Sequence, residues 1–325
     1  MLEKVKKRIG FGSSVREIGV LGALLLLILF FSITSPYFLK INNLLNIVRQ
    51  ISLMGIIAMG MTMIIVSGEI DLSVGAIYGA SAIVAGMVLT NGGSVLLAIL
   101  VALLVGAFFG LMNGVLSTYG RIPALIVTLG MMNIARGVAL VICGARVISL
   151  SPRTVDAAGL DFFLFLGQGK VFNIPIISII FIITVILSNF LYKHTIIGFR
   201  MRAVGGNSSA AKAAGLNRNL IKIFAFTITG VFCAIGGILN LSFLANVQGT
   251  TGNGLELDVI AAVIIGGTSL NGGEGTIIGT LIGVLIMGVL KNGIILLGVS
   301  PFFQMLIIGL VIIGAVAIDM WSRKS

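Results

Sequence analysis

The chain has 325 residues, of which 58% are hydrophobic and only 10% are charged. A soluble domain needs more charge to cover its surface, so this composition excludes a soluble or disordered protein and predicts a helical membrane protein. The net charge of +11 does not indicate nucleic-acid binding, because the basic residues cluster at the termini and in one internal segment, as the positive-inside rule describes.

Ten apolar runs are candidates for transmembrane helices, each of which needs about 20 apolar residues. They lie at 18–38, 44–66, 72–90, 94–118, 122–143, 173–192, 220–246, 256–272, 275–297 and 301–319. Gly266-Gly267 and Gly272-Gly273 interrupt the eighth run. The first run has no small-x-small cleavage site at its end, so we expect it to be a retained span and not a signal peptide.

An even number of spans places both termini on one side of the membrane. Basic residues in short loops predict that this side is the cytoplasm, since it then holds 4–16, Arg121, 193–222 and Arg323-Lys324. We therefore predict one multi-pass transmembrane domain over 1–325 in a bacterial inner (plasma) membrane. Residues 1–17 are then a cytoplasmic N-terminus, 144–172 a periplasmic or extracellular loop, and 193–219 a cytoplasmic segment.

The second and third runs are separated by an acidic stretch, which reads Ser67-Gly68-Glu69-Ile70-Asp71-Leu72-Ser73-Val74-Gly75. Carboxylates are costly inside a membrane. In one interpretation Gly68 breaks the helix, and a new helix restarts near Ser73 with its positive dipole end beside the carboxylates on a solute route. In the other, the stretch is an interfacial loop whose acids cap the next helix. The sequence leaves both interpretations open.

An acid–apolar–acid pattern occurs in both halves of the chain, as Glu69-Ile70-Asp71-Leu72 and Glu256-Leu257-Asp258-Val259. The ten-span topology puts the two patterns on opposite sides of the membrane, which indicates an inverted internal repeat of the kind found in transporters. Ladders of small residues follow in both halves and predict close helix packing. Their glycines are Gly106, Gly110 and Gly114 in the first half, and Gly275, Gly279 and Gly283 in the second.

Polar residues within or beside the apolar runs are candidates for lining a solute pathway. The candidate set is Ser67, Glu69, Asp71, Ser73, Asn113, Thr128, Asn133, Asn246 and Gln248. Two basic residues, Arg136 and Lys291, also fall inside runs. For both we favour snorkelling to the outer interface over an inward position facing a cavity or an acidic partner.

The segment 193–219 is the longest predicted cytoplasmic stretch, and it is basic and rich in glycine and alanine. Residues 210–214 favour a helix. Gly205-Gly206-Asn207-Ser208 is typical of a turn with an N-cap, and Gly215 of a C-terminal stop. We therefore predict a short helix, bounded by turns, on the cytoplasmic surface.

The sequence carries no motif for chemistry of its own. It contains no G-x-x-x-x-G-K-[ST] sequence, and the glycine-rich stretch 266–275 has no phosphate-binding lysine. One histidine, His194, and two distant cysteines, Cys143 and Cys233, are insufficient for a conventional zinc site or a catalytic triad. We predict a non-enzymatic chain that binds neither a cofactor nor a metal.

Three further motifs accompany the acidic stretch at 67–75. They are Gly198-x-Arg200-x-Arg202-Ala203-x-Gly205-x-Asn207-x-x-Ala210-Ala211-x-x-x-Gly215-Leu216, Pro123-Ala124-Leu125-Ile126-Val127-Thr128-Leu129-Gly130 and Ile264-Ile265-Gly266-Gly267-Thr268-Ser269-Leu270-x-Gly272-Gly273. Together these motifs resemble the ribose-type permeases of ABC importers, within the wider family of simple-sugar and branched-chain amino acid permeases. The resemblance extends from about residue 40 to the C-terminus and is specific because the motifs occur together.

The resemblance implies a permease subunit that moves a simple, ribose-like sugar by alternating access, with a fold similar to vitamin-B12-type importers and ten spans. It implies a second permease subunit, identical or paralogous, an ATP-binding subunit that holds ATP-Mg, and a periplasmic or lipoprotein sugar-binding protein. The segment 198–216 would couple the ATPase to the spans. The coupling residues so implied are Gly198, Arg200, Arg202, Ala203, Gly205, Asn207, Ala210, Ala211 and Gly215.

Other functions remain open at this point. One alternative is another solute within the family, such as a branched-chain amino acid or a furanosyl signalling molecule. An ion-coupled carrier would need no ATPase but would need an intramembrane relay, for which Glu69, Asp71, Glu256 and Asp258 are the candidates. A structural or receptor-type bundle would have no use for a coupling segment.

Overall fold

The computed structural model describes residues 2–151, 155 and 157–322. In chain order its helices are α1 (Leu2–Thr34), α2 (Ile41–Val66), α3 (Val74–Thr90), α4 (Val95–Thr118), α5 (Ala124–Cys143), α6 (Leu160–Gln168), α7 (Ile176–His194), α8 (Ile196–Gly206), α9 (Ser208–Ala213), α10 (Arg218–Leu244), α11 (Leu255–Ile265), α12 (Ile277–Leu296) and α13 (Pro301–Ser322). Two antiparallel pairs of two-residue strands complete the described part, β1 (Ile148–Ser149) with β4 (Asn246–Val247) and β2 (Lys170–Val171) with β3 (Ile174–Pro175).

Six of the described helices, α2, α4, α5, α7, α10 and α12, are long and apolar enough to cross a membrane. Shorter apolar helices occupy Ile18–Thr34, Val74–Thr90 and Phe302–Val311. The chain is therefore a polytopic helical membrane protein, as its composition predicts. The first helix differs from the prediction because it begins at Leu2 and includes the stretch expected to precede the span.

The eighth predicted run forms only α11, which has 11 residues. At a rise of about 1.5 Å per residue it is about 16 Å long, roughly half of the hydrocarbon core. Gly266 and Gly267 end the helix, and Gly267 has a φ of +93° that disfavours any residue with a side chain. The interruption seen in the sequence is therefore a true helix end.

Helix α2 lies at the centre of the bundle. Every residue from Met54 to Ser67 is buried, and α7, α10, α11 and α12 pack around the helix. A helix that is apolar on all sides is expected at such a position. By contrast, α4, α5 and α7 each keep an outward row of large apolar side chains exposed, as lipid-facing helices do.

The two glycine ladders both lie at helix contacts within the chain. A Cβ at Gly106 or Gly110 would overlap a backbone carbonyl of α10, and one at Gly114 would lie 2.7 Å from the Ile223 Cα. In the second half, Gly279 and Gly283 lie against the backbone of α11 and Gly266, while Gly275 lies against Thr268. Small residues at these positions let the helix backbones approach closely.

The segment between α10 and α11 folds back against α3. A Cβ at Gly79 would overlap the Thr251 carbonyl, and one at Gly75 would overlap the Gly252 carbonyl and the Glu256 carboxylate. Glu256 therefore lies beside the first turn of α3, immediately after the other acidic pattern. The loop thus carries the start of α11 into the bundle, where the second acidic pattern approaches the first, and their placement on opposite sides of the membrane stays a prediction.

The stretch expected to be an outer loop, 144–172, contains β1, α6 and β2. Its residues 152–154 and 156 lie outside the described part, as do Arg323 and Lys324 of the orientation argument. Helix α6 packs on the end of α10, where the Ser242 hydroxyl donates to the Phe163 carbonyl and the Gln168 amide donates to the Ser242 carbonyl at 3.2 Å. The described part of this stretch therefore packs on the bundle through α6.

Candidate functional site

The segment 193–219 folds as two short helices, α8 and α9, and not as the single helix that the sequence predicts. Gly205 and Gly206 belong to the end of α8 and do not form a turn before α9. The Asn207 side chain caps α9 by accepting from the Ala210 amide at 2.9 Å. Gly215, with a φ of +81°, follows α9 as the predicted stop.

The predicted coupling residues differ in how far their side chains are exposed. Arg200, Asn207, Ala210 and Gly215 are exposed, Ala203, Arg202 and Gly205 are half-buried, and Gly198 and Ala211 are buried. Two exposed apolar residues of α8 escaped the sequence analysis: the exposed fraction is 69% for Ile196 and 62% for Phe199. The sequence did offer a signal for them, because large apolar residues on an otherwise polar segment often form a contact surface.

The end of α8 is held in a close backbone contact that we call the glycine junction, formed by Val66, Gly68, Gly205, Gly272 and Gly273. A Cβ at Gly205 would overlap the Val66 carbonyl and lie 2.7 Å from the Gly273 nitrogen. The Gly273 amide donates to the Val66 carbonyl at 2.8 Å. The junction therefore joins α8 directly to the end of α2 and to the turn between α11 and α12.

Arg202 forms a second connection to the same turn. Its guanidinium donates to the Tyr192 carbonyl at 2.9 Å and lies 4.8 Å from the centroid of the Tyr192 ring. The Tyr192 hydroxyl in turn donates to the Gly275 carbonyl at 2.7 Å. Arg202 thus acts within the chain, whereas Arg200 remains exposed and can meet an acidic partner.

Asp71 is fully buried in a polar cluster with Ser73 and Asn113. One carboxylate oxygen accepts from the Ser73 amide at 2.7 Å and from its hydroxyl at 2.5 Å. The other accepts from the Asn113 amide group at 3.2 Å, and that amide group also donates to Ser73 at 2.8 Å. The carboxylate therefore binds the chain at the start of α3 and ties it to α4.

Glu69 has a different environment from Asp71. It forms an ion pair with Lys222, and both side chains line a cavity of about 570 Å³. This basic cavity, as we name it, lies where the break after α2 meets the ends of α4, α5 and α10. Its lining residues are Gly68, Glu69, Ile70, Ser117, Thr118, Arg121, Ile122, Pro123, Ala124, Leu125, Arg218, Asn219, Lys222 and Leu270.

The remaining pathway candidates do not meet at one place. The buried hydroxyls of Ser67 and Thr128 donate to carbonyls of their own helix or its end. Asn133 lies on the exposed face of α5. Asn246 and Gln248 are exposed beyond the end of α10, where Asn246 pairs with Ser149. A single chain therefore assembles the cluster around Asp71 but no continuous line through these residues.

The two basic residues inside apolar runs face protein groups, so the favoured snorkelling interpretation is wrong. Arg136 donates to the Gly249 carbonyl at 3.0 Å, and Lys291 forms an ion pair with Asp258. Both partners belong to the inward-folded segment and the start of α11. Apolar periodicity could not reveal that this segment returns into the bundle, and so it could not supply these partners.

The chain matches the family model described as the permease component of branched-chain amino acid transport systems, over residues 43–316. It is 41% identical to the ribose import permease protein RbsC of Escherichia coli strain K12, over 91% of both chains. It is 40% identical to that of Bacillus subtilis strain 168, over 98% of this chain and 97% of the relative.

A third relative is the L-arabinose ABC transporter permease protein AraH of Azospirillum brasilense, which is 37% identical over 98% of this chain and 92% of its own length. No solved structure matches the chain. The resemblance drawn from the four motifs is confirmed. The chain belongs to the family of permease components of branched-chain amino acid and ribose transport systems, which are transport proteins and not enzymes.

Proposed function

We propose that this chain is the membrane-spanning subunit of an ABC importer for a simple, ribose-like sugar. The relatives named as ribose and arabinose permeases support the sugar class. The observation that carries the importer mechanism is the glycine junction, which joins α8 to two separate breaks in the bundle. Force applied to α8, directly or through the adjoining α9, would reach both breaks through backbone contacts.

In this proposal α8 and α9 form the cytoplasmic docking surface for an ATP-binding subunit. Phe199 offers apolar contact area, and Arg200 offers a charge for an acidic partner group. ATP-Mg would remain on the partner, in keeping with the absence of a phosphate-binding motif from the sequence. Closure of the ATPase dimer would then shift α8 as a rigid element, since its end leaves no space for independent movement.

We propose ten crossings, with both termini in the cytoplasm and a fold similar to vitamin-B12-type importers. The crossings would be α1–α5, α7 and α10–α13, with α11 completed by the loops on either side of it. Residues 1–17 and 193–219 would then face the cytoplasm and 144–172 the outside. An inverted relation between the two halves would suit alternating access.

A second permease subunit would pack on the part of the open face of α5 that begins at Leu129, one turn beyond the start of the helix. This face carries Leu129, Asn133 and two glycines, Gly130 and Gly137, whose Cβ positions have no atom within 4 Å. A route between two such faces would be mainly apolar with occasional amides, which suits an uncharged sugar. A periplasmic or lipoprotein sugar-binding protein would deliver the solute from the opposite side.

Uptake into proteoliposomes that contain the chain, its ATP-binding subunit and its binding protein tests this proposal. We expect accumulation of labelled ribose with ATP and none with a non-hydrolysable ATP analogue. Uptake driven by an ion gradient without the ATPase would establish the ion-coupled alternative instead. ATP-dependent uptake of leucine in place of ribose would retain the importer and replace its substrate.

A further inference from the structure

The basic cavity has a charge pattern that the proposed transport function does not use. Three of its lining side chains, Arg121, Arg218 and Lys222, are basic, and Glu69 is acidic. The ion pair between Lys222 and Glu69 neutralises one cation. In the described part of the chain, no acidic side chain pairs with Arg121 or Arg218, so the cavity keeps two uncompensated positive charges.

The cavity lies among the ends of membrane-crossing helices. It lies at the end of α4, at Thr118, and at the starts of α5 and α10, at Ala124 and Arg218. Three membrane-crossing helices therefore have their ends around it, which places the cavity at the level of the membrane surface. Basic pockets between transmembrane helices at this level are a recurrent site for anionic headgroups.

The walls of the cavity continue into an apolar, lipid-facing surface. Ile122 and Leu125 line it with exposed fractions of 41% and 50%, and Ile126, on the next position of α5, is exposed as well. Arg121 also lines the cavity, and its φ of +57° belongs to the left-handed region that a residue with a side chain seldom occupies. Basic side chains and exposed apolar side chains thus lie next to each other. A phospholipid needs this arrangement for its phosphate group and its acyl chains.

We infer that the basic cavity binds the phosphate-bearing headgroup of an acidic phospholipid, with the acyl chains along the start of α5. The guanidinium groups of Arg121 and Arg218 bind the phosphate oxygens, to which arginine can offer paired donors. A soluble phosphate could use the same donors but would leave the apolar wall uncovered. The inference depends on the cavity and its charges and is independent of the solute that the chain transports.

Native mass spectrometry of the purified full chain, with added phosphatidylglycerol or phosphatidylethanolamine, tests the inference. We expect the wild-type chain to prefer phosphatidylglycerol, and the double variant Arg121→Gln/Arg218→Gln to bind it about tenfold more weakly or worse. The matched control Lys193→Gln/Lys212→Gln removes two exposed lysines that do not line the cavity, and it should retain wild-type binding.

A variant that should bind phosphatidylglycerol more tightly separates loss of the site from misfolding, because a misfolded chain would not gain affinity. Glu69→Gln removes the acid that lines the cavity and releases Lys222, so it should tighten phosphatidylglycerol binding. Equal binding of the two lipids, or wild-type preference in the double arginine variant, would overturn the site. Displacement of bound phosphatidylglycerol by millimolar inorganic phosphate would overturn the inference that the ligand is a lipid, and it would assign the cavity to a soluble anion.

Discussion

Two regions of this molecule contain glycines with opposite surroundings, one crowded by backbone atoms and the other open. At the glycine junction, a Cβ on Gly205 would overlap the backbone of two other segments, whereas Gly130 and Gly137 on the outer face of α5 have open space around them. In the first region the missing side chain permits backbone contact, and in the second it leaves a shallow surface. The comparison shows that a glycine in an apolar helix does not by itself indicate a close approach of two backbones. The atoms around the glycine in the folded chain decide it.

The largest effect is expected from Gly205→Ala. The added methyl group meets the hydrogen-bonded Val66 carbonyl and Gly273 amide, neither of which can rotate away. We expect a loss of about 3 kcal/mol in the free energy of unfolding, at the upper end of overpacking costs, together with loss of ATP-driven uptake. Thermal unfolding in detergent and proteoliposome uptake measure the two effects.

The adjacent glycine provides the matched control for that substitution. Gly206→Ala adds the same methyl group, but its nearest neighbour would be the Gly273 Cα at 3.7 Å, an ordinary contact. We expect a change within about 0.5 kcal/mol. Equal losses of stability in the two alanine variants would show that the end of α8 tolerates no substitution at all. The contacts of Gly205 would then not explain the effect.

The next largest effect compares α4 with α5 directly. Gly110→Ala places a methyl group against the Phe226 carbonyl of α10, while Gly137→Ala places one in open space. We expect the first to destabilise the purified chain by about 2 kcal/mol and the second to leave it nearly unchanged. If Gly137→Ala proved equally costly in the isolated chain, the face of α5 would be packed and the comparison would fail.

The contrast extends from glycines to polar side chains. Asp71→Ala leaves the buried Asn113 amide and the Ser73 amide without their shared acceptor, which should cost about 1–3 kcal/mol. Asn133→Ala on the exposed face of α5 should cost much less. Chemical unfolding monitored by tryptophan fluorescence of the single Trp321 measures both.

Transport by Asp71→Asn decides the role of the carboxylate in that cluster. Asparagine keeps an acceptor for the Ser73 amide, so a variant that folds and transports normally would assign Asp71 to the start of α3. A variant that folds normally but fails to transport would place Asp71 on the solute route.

The smallest effect concerns the two arginines of α8. Arg202→Lys loses the contact between the guanidinium group and the Tyr192 ring and weakens the hydrogen bond to the Tyr192 carbonyl, so we expect a loss of about 1 kcal/mol in the free energy of unfolding. Arg200→Lys should leave the chain as stable as the wild type, since Arg200 is exposed. Its effect should appear only in association with the ATP-binding subunit, measured by co-purification, and a stability loss equal to that of Arg202→Lys would contradict this division.

The sequence predicts those features of the fold that depend on local composition. The apolar runs, the end of the eighth run at Gly266 and the polar segment 193–219 all follow from residues close together in the chain. The motifs also identify the family correctly. Their strength lies in several short patterns occurring together over most of the chain.

The contacts between distant segments could not be predicted in the same way. Hydrophobic periodicity separates buried from exposed faces, but it does not say which helices are neighbours. The ion pair between Lys291 and Asp258 and the close approach of Glu256 to Gly75 depend on a loop that returns into the bundle. The protein partners of Arg136 and Lys291 were missed for this one reason.

The brevity of α11 has a consequence for how the protein is made. A helix of 11 residues is too short to span a bilayer by itself, and the backbone groups of the glycine-rich turns at its ends need partners within the protein, as the Gly273 amide has in the Val66 carbonyl. If α11 crosses the membrane as proposed, we expect it to enter as a hairpin with α12, whose Gly279 and Gly283 contact its backbone. Insertion of this half of the molecule would then be completed only after the ribosome has produced α12.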